Sequence, residues 1–215
     1  MFLTNKNLNF PAVRLAAILS FVLTIILGWD GSSSLALAAG PPAAGPRSIQ
    51  AAFIQEKEMK ILARPLISQG RMLFRAPDNL RWEYLSPVKS VLLMQNGAAR
   101  KFVNENGVWL EDKSAGLNTV PAVLAQMTGW LEGRFSDAGD AAIFTASREG
   151  QVVRLVPKAE GMRAVIAAIE LRLVQGSDDV VEEVDIHESA SAVTRIKFRD
   201  TVIDQAIPDA LFTAP

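Results

Sequence analysis

The sequence predicts a mainly β protein, a meandering antiparallel sheet of about ten short strands with a polar outer face and one apolar helix midway along the chain. Three observations predict it. Short runs such as "LISQGRMLFR" and "TRIKFRD" alternate apolar and polar residues with a period of two. Turn sequences separate these runs, among them "APDN", "QNG" and "NENG". One segment, "TVPAVLAQMTGWLEG" at 119–133, follows helical spacing instead.

At the N-terminus, Lys6 and Arg14 precede the apolar run "LAAILSFVLTIIL", and "ALA" at 36–38 offers the small residues a signal peptidase cuts after. Residues 1–38 are therefore read as a cleaved secretory signal. The apolar run has 13 residues, short for a membrane-spanning helix of roughly 20, which is the competing assignment. Residues 39–48 contain "AGPPAAGP" and are expected to form a stiff spacer. Residues 49–215 are expected to form one domain.

Within that domain, Leu66, Ser68, Gly70, Met72 and Phe74 fall on one strand face, and Ile67, Gln69, Arg71, Leu73 and Arg75 on the other. Gln69-Gly70 marks a bulge. Pro77, Asp78 and Asn79 then turn the chain into "LRWEY". Asn96-Gly97 is the strongest hairpin signal, and "NENG" at 104–107 leads into "VWLED". In the second half, Ile169, Leu171 and Leu173 alternate with Glu170 and Arg172, and Ile196 and Phe198 with Arg195, Lys197 and Arg199. The helix at 119–133 has Thr119 as N-cap, Pro121 near its start and Gly133 at its end. With so little polar surface, it must pack on the sheet.

Charge excludes some functions. There are 22 Lys and Arg against 23 Asp and Glu, for a net charge of −1, so a nucleic-acid partner is not expected. With no cysteine, the fold has neither a disulfide framework nor a thiol to be lipidated. Catalytic signatures are missing too. The single histidine, His187, alternates with Ile186 and falls with Asp185 on the polar face, and no Gly-x-Ser-x-Gly nucleophile turn occurs. "SDDVVEE" at 177–183 concentrates carboxylates but lacks the ligand spacing of a calcium loop, and is expected to be a solvated strand edge. The expectation is a monomeric binding protein without catalytic residues, metal or cofactor. Trp82, Trp109, Trp130, Met72, Met94 and Met127 suit either a greasy cavity or an ordinary core, and pattern alone favours the core.

Residues 51–97, "AAFIQEKEMKILARPLISQGRMLFRAPDNLRWEYLSPVKSVLLMQNG", resemble the first half of the outer-membrane lipoprotein carrier (LolA) family. The shared features are Phe-x-Gln, Pro-Leu-x-Ser-x-Gly, a strand into x-Pro, a tryptophan five residues after that proline, Ser-Pro, and a strand ending in x-Gly. Further on, the resemblance continues in the mid-chain apolar helix, Leu-x-Pro in "RLVP", and a closing Phe-x-x-Pro in "LFTAP". It implies an incomplete, unclosed antiparallel barrel whose apolar concave side is covered by a helical lid. It implies a periplasmic carrier that takes acylated lipoproteins from an inner-membrane transporter to an outer-membrane acceptor. Family members often carry a lid-latching arginine immediately before the hairpin proline. Here that position is Ala76 and Arg75 lies one residue earlier, the candidate latch. The family's first amphipathic helix is replaced by "GPPAAGPRSIQ", which implies a wider mouth or another lipid cargo.

Hydrocarbon physics then names a site. Acyl chains gain about 0.8 kcal/mol per CH₂ on leaving water, so a shuttle needs an apolar pocket under a cover that cargo can displace. The expected lining is Met72, Phe74, Leu80, Trp82, Leu92 and Met94 from the sheet, with Val120, Val123, Leu124, Met127 and Trp130 from the helix; Arg71, Arg75 and Arg81 lie outside it or at its rim. The alternatives are a non-transporting lipoprotein sensor or accessory module of a lipid export system, and a lipid-modifying enzyme.

Overall fold

Hairpin turns decide which strands become neighbours, and two of them follow directly from Asn-Gly. Asn96 and Gly97 both take positive φ, 52° and 72°, as do Asn106 and Gly107 at 53° and 90°. This is the paired left-handed geometry that reverses a chain in two residues. A computed structural model describes residues 47–60, 62–113, 130, 135, 143–188 and 192–215.

The first six strands are β1 (Ser48–Glu58), β2 (Leu66–Arg75), β3 (Asn79–Ser86), β4 (Ser90–Gln95), β5 (Ala98–Glu105) and β6 (Val108–Asp112). The other five are β7 (Phe144–Glu149), β8 (Val152–Pro157), β9 (Ile166–Leu173), β10 (Val181–Glu188) and β11 (Val193–Ile203). A four-residue helix, Glu160–Arg163, joins β8 to β9, and a 3-10 turn, Asp209–Phe212, follows β11. All eleven strands form one antiparallel sheet in the order β6-β5-β4-β3-β2-β1-β11-β10-β9-β8-β7. The count is one above the expected ten.

The order has a simple logic. Each limb is a meander of sequence neighbours, and the limbs are joined where β1 pairs with β11. The two free edges, β6 and β7, are consecutive in the chain, so the sheet is an unclosed barrel. The residues linking those edges include the predicted helix, 119–133. Apart from Trp130, which is helical and buried, that segment lies outside the described residues.

The predicted bulge is present. The β2–β3 register shifts between Gln69 and Gly70. Gly70 sits directly opposite Phe53, and a Cβ added there would lie 2.1 Å from the Glu83 carbonyl oxygen and 2.4 Å from the Phe53 ring. Only a residue without a side chain lets that ring lie against the strand.

Alternation divides the residues between two faces. On the concave side Ile49, Ala51, Phe53, Met72, Phe74, Leu80, Trp82, Met94, Leu155, Leu171 and Ile196 belong to one buried cluster. On the convex side of β8–β11, charges pair across strands: Arg195 with Asp185 at 3.0 Å, Arg172 with Glu183 at 3.4 Å, and Arg154 with Glu170. Carboxylates of the 177–183 run take part, Asp178 with Arg148 at 2.6 Å and Glu183 with Arg172 and Lys197.

The polar outer face expected from alternation holds for that limb but not for β2–β4. There Leu73 packs with Ile207, Leu211 and Phe212, and Val91 and Leu93 pack with Phe102 and Trp109. The C-terminal segment lies over this patch. Arg81, expected outside the cavity or at its rim, is outside it and only 4% exposed. It donates to the carbonyl oxygens of Leu211 at 3.0 Å and Ala214 at 2.7 Å. Chain beyond the sheet has folded back and turned an outer face into a second interior.

Candidate functional site

The concave face is built row by row, because directly paired residues in an antiparallel sheet share a face. One row runs Ile49, Phe74, Leu80, Met94. The next runs Ala51, Met72, Trp82, Leu92. All six sheet residues predicted for the lining therefore stand together. Met72, Phe74, Leu80, Trp82 and Met94 are buried, and Leu92 is partly buried against them. Burying each large side chain stabilises the fold by about 1.5–3 kcal/mol.

Aromatic rings occupy the middle. Phe53 pairs with Phe198 on one side and Gly70 on the other. Its ring lies 4.6 Å from Trp82 and 5.4 Å, edge on, from Tyr84, while Phe198 meets Trp82 at 6.1 Å. Sequence reasoning missed Phe53, Tyr84 and Phe198 as members of this wall. The alternation of "AAFIQEK" marks Phe53 as inward, but its contact with Phe198 depends on β1–β11 pairing across most of the chain.

Polar groups collect towards one end. The Tyr84 hydroxyl donates to Gln55 Oε1 at 2.9 Å, and burial pushes the Tyr84 phenol up to about 12. Further along β1, Lys57 is 2% exposed and its Nζ lies 2.6 Å from Glu188 Oε1. The buried hydroxyl of Thr194, paired with Lys57 in the ladder, donates to the same oxygen at 3.0 Å. A buried pair of this kind is strongly destabilised by removing one partner, about 3–5 kcal/mol, because the other is left charged in an apolar surrounding. No local pattern announces it, since Lys57 and Glu188 are 131 residues apart.

The concave face thus grades along the strands from hydrocarbon at Phe74, Leu80 and Met94 to hydrogen-bonding groups at Lys57, Thr194 and Glu188. Trp130 joins the same buried cluster, its ring 5.8 Å from Phe144 at the start of β7. Val120, Val123, Leu124 and Met127 lie outside the described residues.

Arg75 is engaged on the other face. It donates to the Ile207 carbonyl oxygen at 3.0 Å, pairs with Asp209, and lies 5.0 Å over the Phe212 ring. Beside it, Arg81 and Arg71 donate to Glu83 Oε2 at 3.0 and 2.6 Å. Burial alone would raise the Glu83 carboxyl; the hydrogen bonds from Arg81 and Arg71 outweigh it and hold that carboxyl below its ordinary range. His187 also lies away from the concave core, its Nε2 3.6 Å from Glu170 Oε2. Among the described residues, no group of three or more His, Cys, Asp or Glu is placed to hold a metal, and no helix is long and apolar enough to cross a membrane.

No curated protein matches the chain in sequence. Among solved structures, it is similar to a LolA superfamily protein from Nitrosomonas europaea, with 10% identity, 80% of this chain and 93% of that one covered, and a TM-score of 0.39. It is similar to the Mycobacterium tuberculosis lipoprotein LppX, with 10% identity, coverage of 76% and 90%, and a TM-score of 0.41. A chain of the Pseudomonas aeruginosa MucA/MucB complex shows 15% identity and a TM-score of 0.41, with 78% of this chain and 56% of that one covered. The sequence match is the stronger finding: the family model described as outer membrane lipoprotein carrier protein LolA covers residues 45–215. By that match, the chain belongs to the LolA family of outer membrane lipoprotein carriers.

Proposed function

We propose that the concave face, together with the 119–133 segment, binds the acyl chains of a lipoprotein or another lipid and carries them through the periplasm from the inner to the outer membrane. One observation carries this reading: a single unclosed sheet presents a continuous wall of Ile49, Phe53, Met72, Phe74, Leu80, Trp82 and Met94 on its concave side. Family membership supports it; in this reading an inner-membrane transporter loads the protein and an outer-membrane acceptor unloads it. The protein acts by binding, not by catalysis, and residues 1–38 direct its export.

The energetics suit a shuttle. Two or three acyl chains gain tens of kcal/mol by leaving water, at about 0.8 kcal/mol per CH₂. Delivery requires that cargo replace contacts the protein makes with itself, so that empty and loaded states differ little in exposed apolar surface. Trp130 supplies one such contact, against Phe144.

The test is binding of an acylated peptide and of an apolar fluorescent probe by the purified protein. Val123→Glu or Met127→Glu abolishes both while the circular dichroism of the sheet persists; unchanged binding overturns the assignment of 119–133. Transfer of an acylated protein out of inner-membrane vesicles tests the shuttle. N-terminal sequencing of the exported protein tests cleavage after Ala38.

A further inference from the structure

Trp130 brings a hydrogen-bond donor into the concave core and leaves it without an acceptor. Its side chain is 7% exposed, and Nε1 is one of two buried side-chain polar atoms among the described residues with no hydrogen-bond partner. The other, His187 Nε2, belongs to a ring on the convex side with a carboxylate 3.6 Å away. Tryptophan N–H groups in protein interiors usually find a partner. A phenylalanine or leucine at 130 would fill apolar space without an orphaned donor, so packing alone does not account for an indole here.

The place of Trp130 says what acceptor would come. Its ring packs on Phe144, the first residue of β7. Pro157 ends β8, Ile166 begins β9 and Glu188 ends β10, so Phe144 stands at the same end of the sheet as the Lys57–Glu188–Thr194 cluster. That is the polar end of the gradient described above. The hydrocarbon end, at Phe74, Leu80 and Met94, suits methylene tails alone. Lys57, Thr194 and Tyr84 already bond within the protein, to Glu188 and Gln55. Trp130 Nε1 is the donor left over.

We propose that Trp130 Nε1 donates a hydrogen bond to the carbonyl oxygen of an ester- or amide-linked acyl chain, so that cargo lies with its carbonyl at the Phe144–Glu188 end and its tail towards Phe74 and Met94. The inference rests on the acyl-carrier function proposed above and adds a chemical class. It makes acyl esters and amides preferred cargo over pure hydrocarbons, because only they carry an acceptor that satisfies the buried donor.

The experiment compares monopalmitoylglycerol, which has an ester carbonyl, with diphenylhexatriene, which has none. Trp130→Phe weakens monopalmitoylglycerol binding about tenfold, the scale of one buried hydrogen bond, and leaves diphenylhexatriene within about twofold. In the wild-type protein, which needs no variant to fold, the Trp130 indole proton resonance moves downfield on saturation with monopalmitoylglycerol and not with diphenylhexatriene. Equal changes for both probes, with an unmoved indole proton, overturn the inference while leaving the carrier function standing. Failure of the wild-type protein to bind either probe overturns the carrier function, and this inference with it.

Discussion

On the convex face, the C-terminal segment is held by directional, charge-assisted hydrogen bonds: Arg81 to the carbonyls of Leu211 and Ala214, Arg75 to that of Ile207. On the concave face, the contact described from the 119–133 segment is Trp130 against Phe144, ring on ring, with its one polar atom unpaired. The difference is between directional bonds that only their own partners satisfy and a non-directional contact between rings. A guanidinium in a buried setting cannot lose its carbonyls without a large penalty. An aromatic ring that loses another ring to a methylene chain forfeits only about 0.5–1.5 kcal/mol of specific geometry. The fold thus places a fixed cover on the convex side, opposite the apolar wall.

Removing the fixed cover should have the largest effect. Arg81→Met leaves Glu83 buried with Arg71 alone and strips two carbonyls of their donor, which is expected to lower stability by about 3–5 kcal/mol in denaturant unfolding. Probe binding per folded molecule should stay unchanged, since Arg81 faces away from the wall. A smaller loss, about 1–3 kcal/mol, is expected for Gly70→Ala, whose methyl group must displace Phe53 or the Glu83 backbone. Because the displaced Phe53 ring belongs to the concave wall, this variant should also weaken probe binding. The Trp130–Phe144 ring contact predicts the reverse pattern. Phe144→Leu should cost only about 1 kcal/mol in stability yet speed probe entry in stopped-flow mixing, because the Trp130 contact is weaker.

Acid provides the gentlest test of the fixed cover. The Glu83 carboxyl titrates below its ordinary 4.5 in the folded protein. Its contribution is therefore complete above that value and lost as pH falls through the lower folded one. Wild-type protein should lose more stability than Glu83→Gln as pH falls below 4.5 in denaturant titrations. Equal losses would remove Glu83 from the fixed cover.

Local order was legible because it is decided by neighbouring residues. Period-two alternation divided β2 correctly between faces, Asn-Gly pairs set the hairpins, and Gln69-Gly70 announced its bulge. The same alternation put Arg81 on the outer face, where it is, but said nothing of its burial. A charged residue on an outward position reads as solvated, and only the returning C-terminal segment, 130 residues later, makes that position an interior. Arg75 is likewise outward, and its partners Ile207 and Asp209 come from the far end of the chain.

From the amino-acid order alone came the strands, their turns, their inward sides and the one departure towards helical spacing at 119–133, since each depends on backbone sterics and side-chain periodicity over a few residues. Tertiary structure alone decided that β1 meets β11, that Lys57 meets Glu188 inside the concave wall, and that the convex side of β2–β4 is buried under the C-terminus. Those contacts join residues over a hundred positions apart. Their free energy comes from desolvation that exists only once the whole sheet has curved around them.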